Sequence, residues 1–292
     1  MITELWLAKQ SFCSDGLSKK EVENALREFG DLVKFASSDK RAAQNIIYVD
    51  KTDFLSTIIF ADCTLADILY YSPKAQANFS KDISNIFTEA FRVMRRPPED
   101  KIVPPLPEDS EQEAHCLCVL RHTEDFLKER QIICNRYELA EFRCEHFISK
   151  FPSSDGYFEE ANIYLSGIRL HPGIRQEYKK VFKSHKRQIH KCLRNLSWNY
   201  LSYYRAYSGD RTGCPHSFAV KYDVCEDASY EGSARLKAKK RVFQDRQEPV
   251  YFEPHLKMNH NDDGSVGLCR IYFEEPAHTL DKVYVGYICK HL

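Results

Sequence analysis

From Arg175 to Tyr207 apolar and aromatic residues return every three or four positions, and this run limits the fold more than any other stretch of the chain. Tyr178, Val181, Phe182, His185, Ile189, Cys192, Leu193, Leu196, Tyr200 and Tyr204 fall on one side of a helix. "HPG" before the run and "SGDRTGCP" after it supply the ends. A one-sided helix of this length needs a broad apolar surface to cover its stripe. The sequence after Ser217 supplies one, because its texture turns to strands: "SFAVKYDV", "KRVFQ", "PVYFEPHLKM", "LCRIYFE" and "KVYVGYI" are separated by turn-forming residues. "NHNDDGSVG" joins two of them with hairpin chemistry. The expected arrangement is a long helix packed on an antiparallel sheet.

The N-terminal part reads differently. "TELWLAKQSF" is strand-like, and "SKKEVENALREFGDLVKFA" is an amphipathic helix with Ser18 as N-cap and Glu21 three residues later. "NIIYVD" is a buried strand, so the chain opens as an α/β unit. "TLADILYY" and "AQANFSKDISNIFTEAFRVM" are helical, and the second stops where five Pro fall among acidic residues between Arg95 and Glu113. "AHCLCVLRHTEDFLKERQIIC" reads as helical or mixed, and "PSSDG" as a loop. The fold class expected is α+β. It comprises a small α/β domain at residues 1–94, an acidic Pro-rich linker at 95–113, and a C-terminal α+β domain at 114–292 that acts as the effector.

Composition bounds the setting. With 43% hydrophobic and 29% charged residues, the 292-residue chain is globular. It lacks an apolar run of roughly 18 to 20 residues that could span a membrane, and its start lacks a signal-peptide core. Eleven Cys without such a signal read as reduced thiols, so a cytoplasmic protein with no membrane partner is expected. Net charge is zero, yet residues 175–257 carry 18 Lys and Arg against 9 Asp and Glu. That asymmetry suggests a basic face that meets phosphate.

Two constellations carry candidate catalytic chemistry. Alternation in "CRIYF" places Arg270 and Tyr272 on one face and Ile271 and Phe273 on the other; in "VYVGYI" it sets Tyr284 and Gly286 against Val283, Val285 and Tyr287. One face suits a core and the other displays cationic and phenolic groups. In the second constellation Glu253, His255 and Lys257 share a strand face at period two, bringing an acid, an imidazole and an ammonium side by side.

The terminal hairpin, through "RIYF", "KVYVGYI" and "KHL", resembles the end of RelE/ParE-like bacterial toxins over roughly the last 26 residues. What the resemblance implies is metal-independent RNA cleavage. Arg270 would stabilise developing phosphate charge, and Lys290 or His291 would move the proton.

Nucleic-acid contacts are expected from Lys237, Lys239, Lys240 and Arg241, from Lys186 and Arg187 on the long helix, and from Arg205 within the aromatic run "WNYLSYYRAY". His115, Cys116, Cys118, His122, Cys134, Cys144 and His146 are metal-type residues, but they lack the close Cys-x-x-Cys pairs of a structural zinc site, so no metal is expected. Phosphate-loop and dinucleotide fingerprints are absent, and no cofactor is expected. The function expected is that of a toxin-like bacterial effector, a nuclease or other hydrolase acting on nucleic acid with RNA favoured over DNA. Its setting would be antiviral defence or a toxin–antitoxin system with an antitoxin or other protein partner. The alternative is a non-catalytic module that docks a partner protein in a defence or regulatory complex.

Overall fold

The computed structural model describes residues 1–12, 16–49, 54–98, 113–118, 120, 132–150, 152–230, 240–275 and 281–290. Its fold class is α+β, with helices and strands in mixed sheets. The chain forms two compact units, residues 1–142 and 143–292. Among the described residues no helix is long and apolar enough to cross a membrane.

The first unit is built on a parallel sheet. Strand β1 (Ile2–Leu7) runs between β2 (Asn45–Tyr48) and β5 (Glu113–Cys118), and β5 pairs in turn with β6 (Ile132–Ile133). Every ladder is parallel: Thr3 faces Asn45 and Glu4 faces His115. A short antiparallel pair, β3 (Ile58–Phe60) and β4 (Cys63–Thr64), stands apart from this sheet. Helix α1 (Lys19–Ala36) begins with the expected capping box. The Ser18 N–H donates to Glu21 Oε2 at 2.8 Å, and the Glu21 N–H returns to Ser18 Oγ at 3.4 Å. Helices α2 (Leu65–Tyr70), α3 (Pro73–Asn78) and α4 (Lys81–Val93) follow, and α4 packs on α1. Phe12, Phe29, Phe54 and Phe87 fill the interior, with Phe12 edge-on to Phe29 and Phe54 at 5.3 and 4.9 Å.

This unit corrects the expected boundary. "AHCLC", read as the opening of the second domain, is the third strand of the first, so the division falls in α5 (Arg136–Glu145) rather than at residues 95–113. The physical reason is parallel pairing: β5 completes the ladder of β1, whose partner residues lie more than 100 positions earlier. Most of the Pro-rich segment, residues 99–112, lies outside the described residues.

The second unit has the expected helix on a sheet. Helix α6 (Ser154–Tyr164) precedes β7 (Ile168–Leu170), and α7 (Arg175–Asn195) runs on through a wide π turn at Leu196–Tyr200 into α8 (Leu201–Ala206). After α9 (Cys214–Lys221) come β8 (Asp227–Tyr230), β9 (Lys240–Arg241), β10 (Val250–Tyr251), β11 (Pro254–His260), β12 (Val266–Phe273) and β13 (Val283–Cys289). Strand order is β7-β13-β12-β11-β8, with β7 parallel to β13 and the rest antiparallel. The apolar stripe of α7 lies on β11, β12 and β13. Ile189, Cys192 and Leu193 are buried there with Leu256, Met258, Ile271 and Ile288. Helix α7 is not continuous: His185, at φ −129°, breaks it, and its buried Nδ1 lies 3.0 Å from Ser184 Oγ.

The opposite sheet face is a second core, not a display of polar groups. Phe243, Val250 and Phe252 cover Tyr272, Tyr284, Tyr287 and Cys289. Tyr284 and Tyr287 therefore share a face, against simple alternation. The cause is a bulge: Tyr272 faces Tyr287 while Phe273 faces Val285, so Gly286 is the extra residue on β13. A Cβ at Gly286 would lie 2.4 Å from the Phe252 ring. Glycine there lets the aromatic cover seat on the bulged strand.

Candidate nucleic-acid interface

The basic residues of the second unit are concentrated on α7. It carries eight Lys and Arg and a single acid, Glu177. Because the stripe at Tyr178, Phe182, Ile189 and Leu193 is buried, the cations are pushed to the solvent side. Lys180, Lys183 and Arg187 recur at helical spacing, are exposed, and have no acidic partner for their side chains among the described residues. The flanking cations are engaged: Arg175 pairs with Glu159, Lys179 Nζ with Asp155 at 2.8 Å, and Lys191 Nζ with Asp223 at 2.8 Å. Arg194 lies over the Trp198 ring at 5.7 Å. The ridge runs from Lys180 to Arg194 across the break at His185.

The expected nucleic-acid residues divide on inspection. Arg187 belongs to this ridge, whereas Lys186 donates its Nζ to Ile148 O at 2.7 Å and holds the end of the π turn at His146–Lys150. Arg205 is exposed on α8, and Lys240 is exposed on β9. Arg241 is turned inward. Its guanidinium bonds Glu177 Oε2 at 3.0 Å and lies 4.1 Å over the Tyr287 ring. Lys237 and Lys239 lie outside the described residues. The sequence signal missed was the pair Lys180 and Lys183, legible in the same 3.6-residue period as the apolar stripe.

The expected catalytic residues are held apart by separate partners. His255 is only 5% exposed; its Nε2 is 3.0 Å from Ser229 Oγ, and its ring stacks on Tyr272 at 4.7 Å. Lys257 Nζ donates to Asp227 Oδ2 at 2.8 Å, opposite it on β8. The hydrogen bond from Lys257 holds the Asp227 carboxyl below its usual range. The Tyr230 phenol donates to Glu275 with Glu253 as a second carboxylate beside it, and Tyr204 donates to the same Glu275 at 2.7 Å. Burial, then these two carboxylates, push the Tyr230 phenol well up.

Arg270 ties strands together. One of its terminal nitrogens donates to Met258 O at 3.0 Å and Cys269 O at 2.9 Å, the other to Asn259 Oδ1 at 3.0 Å. Arg270 pairs across the ladder with Cys289, one residue before exposed Lys290, and His291 lies outside the described residues. On the face expected for acid, imidazole and ammonium, His255 and Lys257 are thus engaged by β8, and Glu253 lies beside the Tyr230 phenol.

Among the metal-type residues of the first unit, His115 faces a carboxylate and Cys118 and Cys134 are buried thiols. His115 Nε2 is 3.3 Å from Glu4 Oε2, both buried. Burial pushes the Cys134 thiol up to about 12 and that of Cys118 further, so neither offers a ready thiolate. His122 lies outside the described residues, and Cys144 and His146 belong to the second unit.

No family model matches the chain, and comparison with curated proteins and with solved structures returns no match.

Proposed function

We propose that this chain is a nucleic-acid-binding effector, with RNA preferred over DNA, that grips phosphates along the solvent face of α7. The observation that carries the proposal is the trio Lys180, Lys183 and Arg187, three exposed cations in one row without acidic partners among the described residues. Such a row attracts a polyanion and releases its counterions on contact. Trp198, stacked by Arg194 at the far end, and Tyr203, partly exposed, offer rings on which unpaired bases can stack.

Binding comes first in this reading, and a toxin-like cut of the bound RNA is a further step it does not require. Of the groups named for that step, Lys290 alone is both described and exposed. Fluorescence anisotropy with a labelled single-stranded RNA, the matching DNA and a duplex, across a salt series, tests the proposal. The expected result is steeply salt-dependent binding, tightest for single-stranded RNA. A Lys180→Glu/Lys183→Glu/Arg187→Glu variant should lose about 2 from the log–log salt slope, at about 0.7 to 0.9 per phosphate contact. Absence of binding at low salt, or an unchanged slope in the variant, overturns the proposal in favour of a module that docks a protein.

A further inference from the structure

Ten cysteines fall among the described residues, and nine are buried; Cys225 alone is part-exposed. It lies in the segment between α9 and β8, with its Sγ 3.1 Å from Asp227 O. Beneath it is the fully buried Cys192 of α7, whose Sγ is 3.6 Å from the carbonyl oxygen of Val224, the residue immediately before Cys225. Each thiol acts on the other: the neighbouring Cys192 lowers the pKa of the Cys225 thiol, and Cys225 together with burial raises that of Cys192. Lys191 and Asp223, one and two residues away, form an ion pair at 2.8 Å between the same two segments. The segment that carries the part-exposed sulfur thus packs against the enclosed one, across 32 intervening residues.

We propose that Cys225 and Cys192 form a reversible dithiol–disulfide switch oxidised by hydroperoxides. Cys225 is the sulfur that meets the oxidant. The neighbouring Cys192 thiol favours the Cys225 thiolate, while Cys225 and burial keep the proton on Cys192. The Cys225 thiolate attacks the O–O bond of the hydroperoxide. An S–O bond forms, the O–O bond breaks, and the leaving oxygen departs as hydroxide or alkoxide, so the sulfur is oxidised by two electrons to a sulfenic acid. Cys192 sulfur then attacks Cys225 sulfur. The S–S bond forms, the S–O bond breaks, and water leaves carrying the Cys192 proton. A dithiol reductant restores both thiols. The bond would pin the second half of α7 to the segment that leads into β8. The assignment is independent of the nucleic-acid reading.

The experiment treats the full chain with hydrogen peroxide and maps its peptides, with and without dimedone to trap sulfenic acid. The wild type should lose two titratable thiols, give a peptide linked through Cys192 and Cys225, and recover with dithiothreitol. Cys192→Ala should instead accumulate the dimedone adduct on Cys225, and Cys225→Ser should give neither product. A dimedone adduct that persists on wild-type Cys225 without a linked peptide, or oxidation that reaches other cysteines first, overturns the proposal. Should Cys192→Ala fail to fold by circular dichroism, the linked peptide in wild type and its absence in part-exposed Cys225→Ser decide the matter alone.

Discussion

The carboxylate of Asp262 accepts the backbone N–H of Arg187 at 2.9 Å, two residues beyond the break in α7 at His185. Its other oxygen accepts the N–H of Gln188 at 3.2 Å, while the Asp262 N–H donates to Ser184 O at 2.7 Å. The β11–β12 turn therefore plugs the kink. N–H groups that the break strips of helical partners are capped from 75 residues away.

Asp262→Ala should cost about 1 kcal/mol, the usual worth of an N-cap, seen as a lower urea midpoint at unchanged slope. Asp262→Asn keeps an acceptor and should lose less. It also removes a negative charge beside Arg187, so its RNA affinity at low salt should rise. Equal stability of Ala, Asn and wild type would show that the turn does not hold the helix.

Arg270→Ala separates a strand tie from a catalytic cation. Loss of its charge-assisted bonds to Met258 O, Cys269 O and Asn259 should cost about 1.5 to 3 kcal/mol of stability. RNA affinity at a temperature where the variant is folded should stay within about twofold of wild type, since Arg270 lies outside the phosphate row. A stable variant whose RNA turnover alone is abolished would return Arg270 to the reaction.

Arg143 and Glu160 form a buried two-pronged pair, with Arg143 Nε and a terminal nitrogen at 2.8 and 2.9 Å from the carboxylate. Arg143→Met strands a buried carboxylate and should destabilise by about 3 to 5 kcal/mol. The double variant Arg143→Met/Glu160→Leu should recover most of that loss. A double-mutant cycle by chemical denaturation reads both; additive losses would refute the coupling.

Asp67 gives the first unit a defined acid limb. Hydrogen bonds from Ser72 and then Thr64 hold its carboxyl down to about 2. A folded value below the unfolded one, about 3.9, means that the stability it contributes is complete above about pH 4 and lost as pH falls from there through about 2. Denaturation midpoints at stepped pH should fall across that window in wild type and fall less in Asp67→Asn. Parallel curves would remove Asp67 from the acid transition.

Gly286→Ala should destabilise by about 1 to 3 kcal/mol, because the added Cβ meets the Phe252 ring at 2.4 Å. Phe252→Leu in the same chain should relieve part of the loss. Thermal melts of the single and double variants check this, and an innocuous Gly286→Ala would mean that Phe252 does not pack as described.

Local pattern carried much of this fold. The period of α7, the Ser18–Glu21 box and the turn at Asp262–Gly264 are written within a few neighbouring residues, where propensity and periodicity act. What escaped depends on partners distant in sequence. The β5 strand follows a Pro-rich stretch and is recognisable only once β1 is its neighbour. Alternation predicted opposite faces for Tyr284 and Tyr287, and one extra residue at Gly286 put them together. How the candidate catalytic groups are engaged was hidden for a like reason. A strand face shows which side chains align, but not that Asp227 and Ser229 on β8 have already claimed Lys257 and His255.

The position of β13 sets an order on synthesis. It lies between β7 and β12, so residues 168–170 wait for a parallel partner more than 110 residues downstream. A nascent chain that has emerged only as far as Phe273 exposes the apolar stripe of α7 and three strands of its sheet, with the strand that joins them to β7 not yet emerged. During that interval the flank of β12 and the whole of β7 are bare edges, so the second unit is most open to chaperones, and to pairing with a neighbouring nascent chain, just before Val283 emerges.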